Sequence, residues 1–322
     1  MKLIRSVHQV AAALACVGLM SGAAVHAQSV SVSSIVEHPA LDAIKDGVHK
    51  ALTDAGYNEA SGFKWQFQTA QGNPAIAAQI ARKFVGDKAD VIVAISTPSA
   101  QAVVSATKTI PVVYSAVTDP VVAHLVPSMA PSGTNVTGVS DALALEAQVD
   151  LIKKVVPDAK RVGMVYNPGE ANSAVVVKEM KELLPKHGMT LVEATAPRTV
   201  DVGAAARSLV GKVDVIYTNT DNNVVSAYES LVKVGVDAKV PLIASDTDSV
   251  ARGAIAALGV NYYNLGLQTG QQVIRILKGE KPGDMASETS SNLELYVNPG
   301  AAKRQGVSLN EDFVKSATKI VE

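Results

Sequence analysis

Val91-Ile92-Val93-Ala94-Ile95 is a short apolar run that follows Ala89-Asp90 and ends at the polar turn Ser96-Thr97-Pro98-Ser99. A similar run begins 124 residues later, where Val213-Asp214-Val215-Ile216-Tyr217 matches Ala89 to Val93 position by position. Short β-branched runs bounded by turn residues are typical of buried strands of a parallel sheet. The sequence therefore predicts two equivalent strands in two copies of one structural unit.

Other segments repeat in the same order. Ile110-Pro111-Val112-Val113 matches Val240-Pro241-Leu242-Ile243 at an offset of 130 residues, and 35–37 corresponds to 166–167 at about the same offset. All α/β units share some similarity, but matches in one order at nearly one offset indicate an internal duplication.

Strands and helices alternate along the chain, as expected for βαβ units and parallel sheets. Strands are predicted at 30–36, 64–69, 91–95, 112–114, 161–166, 190–194, 213–217 and 242–244. Helices are predicted at 40–55, 75–85, 173–187 and 224–234. Gly56 and Gly188 follow two of these helices, where a left-handed cap is expected.

The duplication predicts an α/β fold of two similar doubly wound parallel-sheet lobes with a ligand cleft between them. Ligands of open α/β sheets bind outside the carboxyl ends of the strands. Facing lobes bring both sets of strand ends to one cleft, which a hinge can close.

The N-terminus has the pattern of a cleavable signal peptide covering residues 1–27. Lys2 and Arg5 precede an apolar stretch, and Val25-His26-Ala27 provides small residues for cleavage before Gln28. We therefore expect a periplasmic protein. Lipidation at Cys16 is the less favoured alternative, because Ala13 replaces the larger aliphatic residue of a lipobox and apolar sequence continues beyond the cysteine.

Composition excludes several classes of function. Removing 27 of the 322 residues leaves 295 without a cysteine, which excludes disulfides and thiol catalysis. The formal net charge is -1 and no block of Lys or Arg stands out, so no nucleic-acid partner is expected. After the N-terminus no stretch reaches 18 uninterrupted apolar residues, so no membrane span is expected.

No catalytic constellation is recognised, so the protein is predicted not to be an enzyme. The histidines after Ala27 (His38, His49, His124 and His187) lack metal-ligand spacing, and the chain contains neither a G-x-S-x-G elbow nor a phosphate-binding P-loop. We expect no cofactor, no metal and a monomeric state.

The turn after the 91–95 strand is the predicted site for a carboxylate. Ser96, Thr97 and Ser99 surround Pro98 at the start of a helix, whose free N–H groups and positive dipole end favour an anion. Ordinary N-capping by Ser96 or Thr97 is the structural alternative.

Asp246 lies two residues beyond the predicted 242–244 strand, in the opposite lobe. A carboxylate there could accept hydrogen bonds from an α-ammonium group, which would place the two charged ends of an amino acid across the cleft. The alternative is that Asp246 or Asp248 caps the following helix.

Turns at other strand ends provide further candidates. In the Asn167 to Ser173 turn, Asn167 and Ser173 are the predicted ligand contacts, and Asn172 is the predicted helix cap. The remaining candidates are Glu37, His38, Tyr114, Ser115, Thr220 and Asp221. Core packing is the alternative for any single tyrosine, but Tyr114, Tyr166, Tyr217, Tyr262 and Tyr263 together could stack an aromatic ring.

Several of these segments resemble one protein family, the ABC-transporter substrate-binding proteins whose studied members take up aromatic amino acids. The resemblance extends from Ser31 to the C-terminus. It is carried by Glu37-His38-Pro39-Ala40-Leu41-Asp42, Thr118-Asp119-Pro120, Asn135-Val136-Thr137-Gly138-Val139-Ser140, Asn167-Pro168-Gly169-Glu170-Ala171-Asn172-Ser173, Thr220-Asp221-Asn222, Ser245-Asp246-Thr247 and Asn261-Tyr262-Tyr263-Asn264-Leu265-Gly266.

The resemblance implies a type I periplasmic-binding-protein fold with three interlobe crossings, near 140–141, near 260–261 and near 293–297. The N-terminal lobe would comprise 28–140 plus 261–292, and the C-terminal lobe 141–260 plus 293–322. The implied function is delivery of an aromatic amino acid to an ABC permease in the inner membrane. A branched-chain amino acid, another small carboxylate, or a periplasmic sensor role remain alternatives.

Overall fold

The computed structural model of the chain describes residues 27–290 and 292–322. The predicted signal peptide, with Cys16, lies outside these residues except for Ala27. None of the helices in the described part is long and apolar enough to cross a membrane.

Strands and helices alternate through the described residues. The strands are β1 (Ser29–Ser34), β2 (Lys64–Thr69), β3 (Val91–Ile95), β4 (Val112–Ser115), β5 (Val136–Ser140), β6 (Arg161–Tyr166), β7 (Thr190–Thr195), β8 (Val215–Thr218), β9 (Leu242–Ala244), β10 (Ala256–Val260), β11 (Glu288–Thr289), β12 (Leu293–Val297) and β13 (Lys319–Ile320). The helices are α1 (Pro39–Asp54), α2 (Pro74–Gly86), α3 (Thr97–Ala106), α4 (Leu145–Val155), α5 (Ala171–Leu183), α6 (Val202–Leu209), α7 (Asn222–Ser226), α8 (Tyr228–Ala238), α9 (Asp248–Ala251), α10 (Tyr262–Leu277), α11 (Pro299–Arg304) and α12 (Glu311–Lys315).

Two predicted helices differ from the structure. The predicted 173–187 helix ends as α5 at Leu183, and a 3-10 turn, Leu184–His187, follows it. Pro185 cannot donate the backbone hydrogen bond that would continue the α-helix. The predicted 224–234 helix is interrupted at Ala227 and forms α7 and α8, and the Val225 carbonyl there accepts a hydrogen bond from Arg252.

The strands form two sheets with the same internal order. The first runs β11-β5-β4-β3-β1-β2 and the second runs β13-β12-β10-β9-β8-β6-β7. Five strands in each sheet therefore follow one pattern, β2-β1-β3-β4-β5 and β7-β6-β8-β9-β10, which confirms the α/β fold of two similar doubly wound lobes. Pairing is parallel except between β10 and β12, which are antiparallel.

Each sheet is buried on both faces, which explains the continuous apolar runs of its central strands. In β6, Met164 packs into one core cluster of the second lobe and its neighbour Val165 packs into the other. This alternation follows from the two-residue period of a strand. In the first lobe, β3 is fully buried and α1 packs along α10.

The chain passes between the sheets at three places. It leaves the first sheet after β5, returns after β10 so that α10 packs on β4 and β5, and leaves again between β11 and β12. These passages support the division into 28–140 plus 261–292 and 141–260 plus 293–322, which stays a prediction about the two lobes.

Candidate ligand-binding site

A cavity of about 120 Å³ lies at the carboxyl ends of the strands, between the two lobes. One part of its wall is apolar and includes Leu143, Leu145, Val175, Val176 and Tyr217. The polar part of the wall comprises Thr118, Asp119, Asp141, Glu179, Asn219, Thr220 and Ser245. We call this space the large cavity.

A smaller space of about 20 Å³ adjoins the large cavity, and Thr118, Asp141 and Thr220 line both. We call it the small cavity. Its other lining residues are His38, Ala40, Leu41, Ser96, Ala116, Asn172, Asn222, Val225, Asp246 and Tyr262. An apolar wall with polar groups beside it suits a ligand with an apolar body and a charged end.

The two lobes contact each other across the cavities. The Ser96 hydroxyl in the first lobe donates a hydrogen bond to Asn222 Oδ1 in the second lobe at 3.0 Å. The hydroxyl oxygens of Thr118 and Thr220 are 3.4 Å apart. The cleft is therefore closed in this structure.

Four of the predicted site residues line the cavities: His38, Ser96, Thr220 and Asp246. The other predicted residues do not line either cavity, and they are Glu37, Thr97, Ser99, Tyr114, Ser115, Asn167, Ser173 and Asp221. Direct ligand contact stays a prediction for all twelve residues.

His38 is the N-cap residue of α1, where its Nδ1 accepts a hydrogen bond from Leu41 N–H at 3.5 Å. Burial, together with the nearby Arg252 charge, lowers the pKa of His38 to about 3. The ring is therefore neutral at neutral pH. The neutral ring has one N–H donor and one acceptor nitrogen.

The turn between β3 and α3 is strained. Ser96 is the N-cap residue of α3 and has a φ of +76°, but no side-chain hydrogen bond caps the helix. Ala116, at the end of the neighbouring strand β4, also has a positive φ, of +53°. Non-glycine residues in such conformations cost about 1–3 kcal/mol each and cluster at ligand sites. The hydroxyls of Thr97 and Ser99 are buried and have no hydrogen-bond partner among the described residues.

Tyr114 and Ser115 point into the first lobe and not into the cavities. Tyr114 is fully buried and packs over Gly138 of β5, where a Cβ atom would overlap its ring. The Ser115 hydroxyl pairs with that of Thr269 at 2.7 Å. Of the five tyrosines considered for ring stacking, Tyr217 lines the large cavity and Tyr262 the small one.

Asp221 organises the polar side of the second lobe. Its Oδ2 accepts hydrogen bonds from Asn167 N–H at 2.7 Å and from the Ser173 hydroxyl at 2.6 Å, and its Oδ1 accepts one from Val224 N–H at 3.0 Å. Asp221 therefore joins β6, α5 and α7. In this arrangement Asn167, Ser173 and Asp221 support the residues that reach the cavity.

Glu170 forms a second buried network beside Asp221. Its Oε2 accepts hydrogen bonds from the backbone and side-chain amides of Asn222 and from Asn172 Nδ2. Burial, with the neighbouring Asp221 charge, raises the pKa of Glu170 to about 7. The prediction that Asn172 caps α5 is wrong: Glu170 is the N-cap residue, and Asn172 donates to Glu170 and to the Thr220 carbonyl.

Asp246 has the structural role that the sequence offered as an alternative. Its two carboxylate oxygens accept hydrogen bonds from the backbone N–H and the hydroxyl of Ser249, at 2.9 and 2.7 Å. Burial raises the pKa of Asp246, and the charge of Arg252 partly opposes that rise. Both oxygens are thus already engaged at the start of α9.

Asp141 is a cleft residue that the sequence prediction did not include. It lines both cavities and accepts hydrogen bonds from the hydroxyls of Tyr262 at 3.1 Å and Thr118 at 3.4 Å. Burial raises the pKa of Asp141 to about 6. No ion pair of this carboxylate with Lys or Arg occurs within the part of the chain that the structure describes.

Other polar cavity residues outside the predicted site are Thr118, Asp119, Asn172, Glu179, Asn219, Asn222 and Ser245. The strand-end rule could have found Asn219 and Ser245, because each directly follows a strand, β8 and β9. No group of three or more His, Cys, Asp or Glu side chains among the described residues could hold a metal ion.

Residues 29–321 match the family model of the ABC transporter substrate binding proteins, and the chain belongs to this family. It is 42% identical over 289 residues to a tyrosine-binding protein of Clostridioides difficile, a match that covers 89% of this chain and 84% of that protein. The chain is thus a substrate-binding protein and not an enzyme, and the family inferred from the sequence is confirmed.

Solved structures of similar proteins have the same fold. A conserved domain protein from Vibrio cholerae is 47% identical, with a TM-score of 0.89 over 91% of this chain and 99% of that one. An ABC domain from Streptococcus pneumonia in complex with L-Trp is 32% identical, with a TM-score of 0.88 over 92% and 100%.

A relative solved in an open state shows how far apart the lobes of this chain are. A substrate-binding protein with adhesive properties from Clostridium difficile, in its ligand-free, open structure, is 39% identical with a TM-score of 0.69 over 92% of this chain and 99% of that one. The present structure is therefore closer to the L-Trp complex than to the open protein, although its sequence is closer to the latter. This agrees with the closed cleft described above.

Proposed function

We propose that this protein captures an aromatic amino acid between its lobes and delivers it to an ABC permease. The observation that carries the proposal is the closed interlobe site, in which the large cavity, with Tyr217 in its apolar wall, adjoins the small cavity, whose lining residues are mostly polar. The similarity to a tyrosine-binding protein and to an L-Trp complex supports the same ligand class.

The aromatic ring would occupy the large cavity, against Tyr217 and the aliphatic side chains of α4 and α5. The charged end would lie where the two cavities meet. The N-terminus of α3, with Ser96 at the small cavity, remains the proposed region for the carboxylate.

The α-ammonium group has two candidate partners, Asp246 from the sequence and Asp141 from the structure. The charge of Arg252 partly compensates Asp246, whose oxygens both accept hydrogen bonds from Ser249, whereas Asp141 has no ion pair with Lys or Arg among the described residues. A buried carboxylate without a cation gains more from an incoming ammonium than one already compensated. The geometry favours Asp141.

We also propose that the protein acts as a monomer in the periplasm after removal of residues 1–27. Membership of the substrate-binding family supports a location outside the cytoplasm, where such a protein would meet its solute before the permease.

The ligand class is tested by calorimetry and thermal unfolding of residues 28–322 against the twenty amino acids. L-Tyrosine or L-tryptophan at a hundredfold excess over its Kd should stabilise the protein by about 2.7 kcal/mol. Stabilisation by another class of amino acid, with none by the aromatic ones, would disprove the proposal.

The same assay with Asp141→Asn and Asp246→Asn identifies the ammonium partner. Removing the charge that pairs with the ammonium should weaken the binding of L-tyrosine by about 2–5 kcal/mol. It should weaken the binding of 3-(4-hydroxyphenyl)propionate, which lacks the amino group, much less. We expect this coupling for Asp141. Coupling for Asp246 alone would instead confirm the sequence-based assignment.

A further inference from the structure

We propose that Asn219 accepts a hydrogen bond from a donor group of the bound ligand, and that Ser173 and Asp221 hold its amide in the required orientation. This inference rests on the proposed function, since it concerns the same cleft. Asn219 would select ligands that have a hydrogen-bond donor at the position facing its Oδ1.

The orientation begins at Asp221, whose oxygens both act as acceptors. Oδ2 accepts from Asn167 N–H and Oδ1 accepts from Val224 N–H, and neither backbone group can do anything but donate. With Asp221 ionised, the Ser173 hydroxyl, 2.6 Å from Oδ2, must therefore give its single proton to Asp221. Its oxygen is left as an acceptor.

Asn219 completes the relay. Its Nδ2 donates to the Ser173 oxygen at 3.1 Å. Because the Ser173 oxygen has no proton left to give, the amide cannot be reversed without losing this bond. The relay Asp221–Ser173–Asn219 thus determines which end of the amide faces Ser173 and which faces away from it.

The other end of the amide has no hydrogen-bond partner among the described residues. Asn219 is 2% exposed and lines the large cavity, and its Oδ1 is buried without a hydrogen bond to any described residue. Leaving such a buried acceptor unsatisfied costs about 1–3 kcal/mol. A ligand donor placed against Oδ1 would remove that cost, whereas a ligand acceptor would be repelled.

The donor chemistry is that of an O–H or N–H group. An aromatic amino acid such as tyrosine provides it at two places, the ring hydroxyl and the α-ammonium group. Both present a proton to an oxygen, so the relay itself does not separate them, and the choice depends on which end of the ligand lies at β8.

Three ligands separate these sources in calorimetry: L-tyrosine, L-phenylalanine without the hydroxyl, and 3-(4-hydroxyphenyl)propionate without the ammonium group. Asn219→Ala should weaken L-tyrosine roughly 5- to 150-fold, the range for losing one such hydrogen bond. It should weaken the binding of the analogue that lacks the recognised donor much less. The analogue whose affinity changes least therefore identifies the donor as hydroxyl or ammonium.

Ser173→Ala tests whether Ser173 orients the Asn219 amide, and it can be measured even if Asn219→Ala folds poorly. It should reduce discrimination between the same ligand pair, and it should have no further effect on that discrimination when Asn219 is already alanine. Asn223→Ala is the matched control, since Asn223 is buried in α7 but lines neither cavity.

Equal weakening of all three ligands by Asn219→Ala, or unchanged affinity for all three, overturns the role of Asn219 while the proposed ligand class stands. Failure of the wild-type protein to bind any of the three ligands overturns the proposed function, and this inference with it.

Discussion

Buried carboxyl groups are concentrated at the cleft. Asp141, Glu170, Asp221 and Asp246 are each at most 5% exposed, and burial raises the pKa of every one. Placing acidic groups where water is excluded disfavours their charged form. The free energy of this arrangement therefore depends on pH and on any cationic group that enters the site.

Glu170→Gln tests this dependence. The pKa of Glu170 is about 7 in the folded protein against an ordinary value of 4.5, so the folded state binds the extra proton between these pH values. This contribution to stability is complete below about pH 4.5 and is lost as the pH rises through 7. Glu170→Gln should remove it, which flattens the decline by up to about 1.4 kcal/mol per pH unit.

Urea unfolding of the wild type and Glu170→Gln from pH 4.5 to 7 measures the difference in their free energies of unfolding. This comparison is needed because the lowered pKa of His38 makes the stability of both proteins rise with pH below 6.5, the ordinary pKa of histidine. Glu182→Gln, an exposed change near the end of the same helix α5, is the matched control. Parallel curves for the wild type and Glu170→Gln would contradict the assignment.

At the scale of elements, α1 and α10 pack with their backbones in close approach. A Cβ atom at Gly266 would overlap the Ile44 carbonyl oxygen, and one at Gly47 would overlap that of Tyr263. α10 follows the second passage of the chain between the lobes, and Tyr262 at its start holds Asp141. The packing of these helices therefore positions one wall of the site.

Gly266→Ala should destabilise the protein by about 1–3 kcal/mol, the usual cost of inserting a methyl group into a filled interface. Gly86→Ala, at the exposed end of α2 where the new Cβ would meet nothing within 4 Å, should be neutral or stabilising by up to about 1 kcal/mol. Thermal or urea unfolding compares the two. Equal effects of both changes would show that the helices can separate freely.

At the scale of the molecule, few hydrogen bonds between the lobes hold the cleft closed in the part of the chain that the structure describes. The bond from Ser96 to Asn222 and the contact between Thr118 and Thr220 join residues 126 and 102 positions apart in the chain. Glu170 orients the Asn222 amide for the first of these. Such sparse contacts allow a hinge motion in which a ligand supplies the remaining interactions.

Lobe closure should decrease the radius of gyration when ligand binds. Small-angle scattering of the protein with and without saturating L-tyrosine measures it, and an amino acid that does not bind is the control. Identical scattering curves for the free and the saturated protein would contradict closure by a hinge.

The amino-acid sequence by itself determined the two-lobed fold. Short apolar runs, their 124- to 130-residue offsets and the glycines at helix ends are local signals, and Gly56 and Gly188 do have positive φ values of 90° and 69°. Strand period and helix capping depend on neighbours within a few residues, so both can be recognised in the amino-acid sequence. The strand-end rule also pointed to the strand ends at which both cavities lie.

Only the tertiary structure decided which polar groups face the cavities. Tyr114 is in the core because β5 places Gly138 opposite it, a pairing of residues 24 positions apart that no local pattern contains. Asp246 accepts hydrogen bonds from Ser249, whereas Asp141 and Asn219 line the cavities. Among the described residues, Asp141 has no ion pair with Lys or Arg and Asn219 Oδ1 has no hydrogen-bond partner. Whether a polar side chain supports the fold or meets the ligand depends on which distant residues satisfy it, and packing settles that.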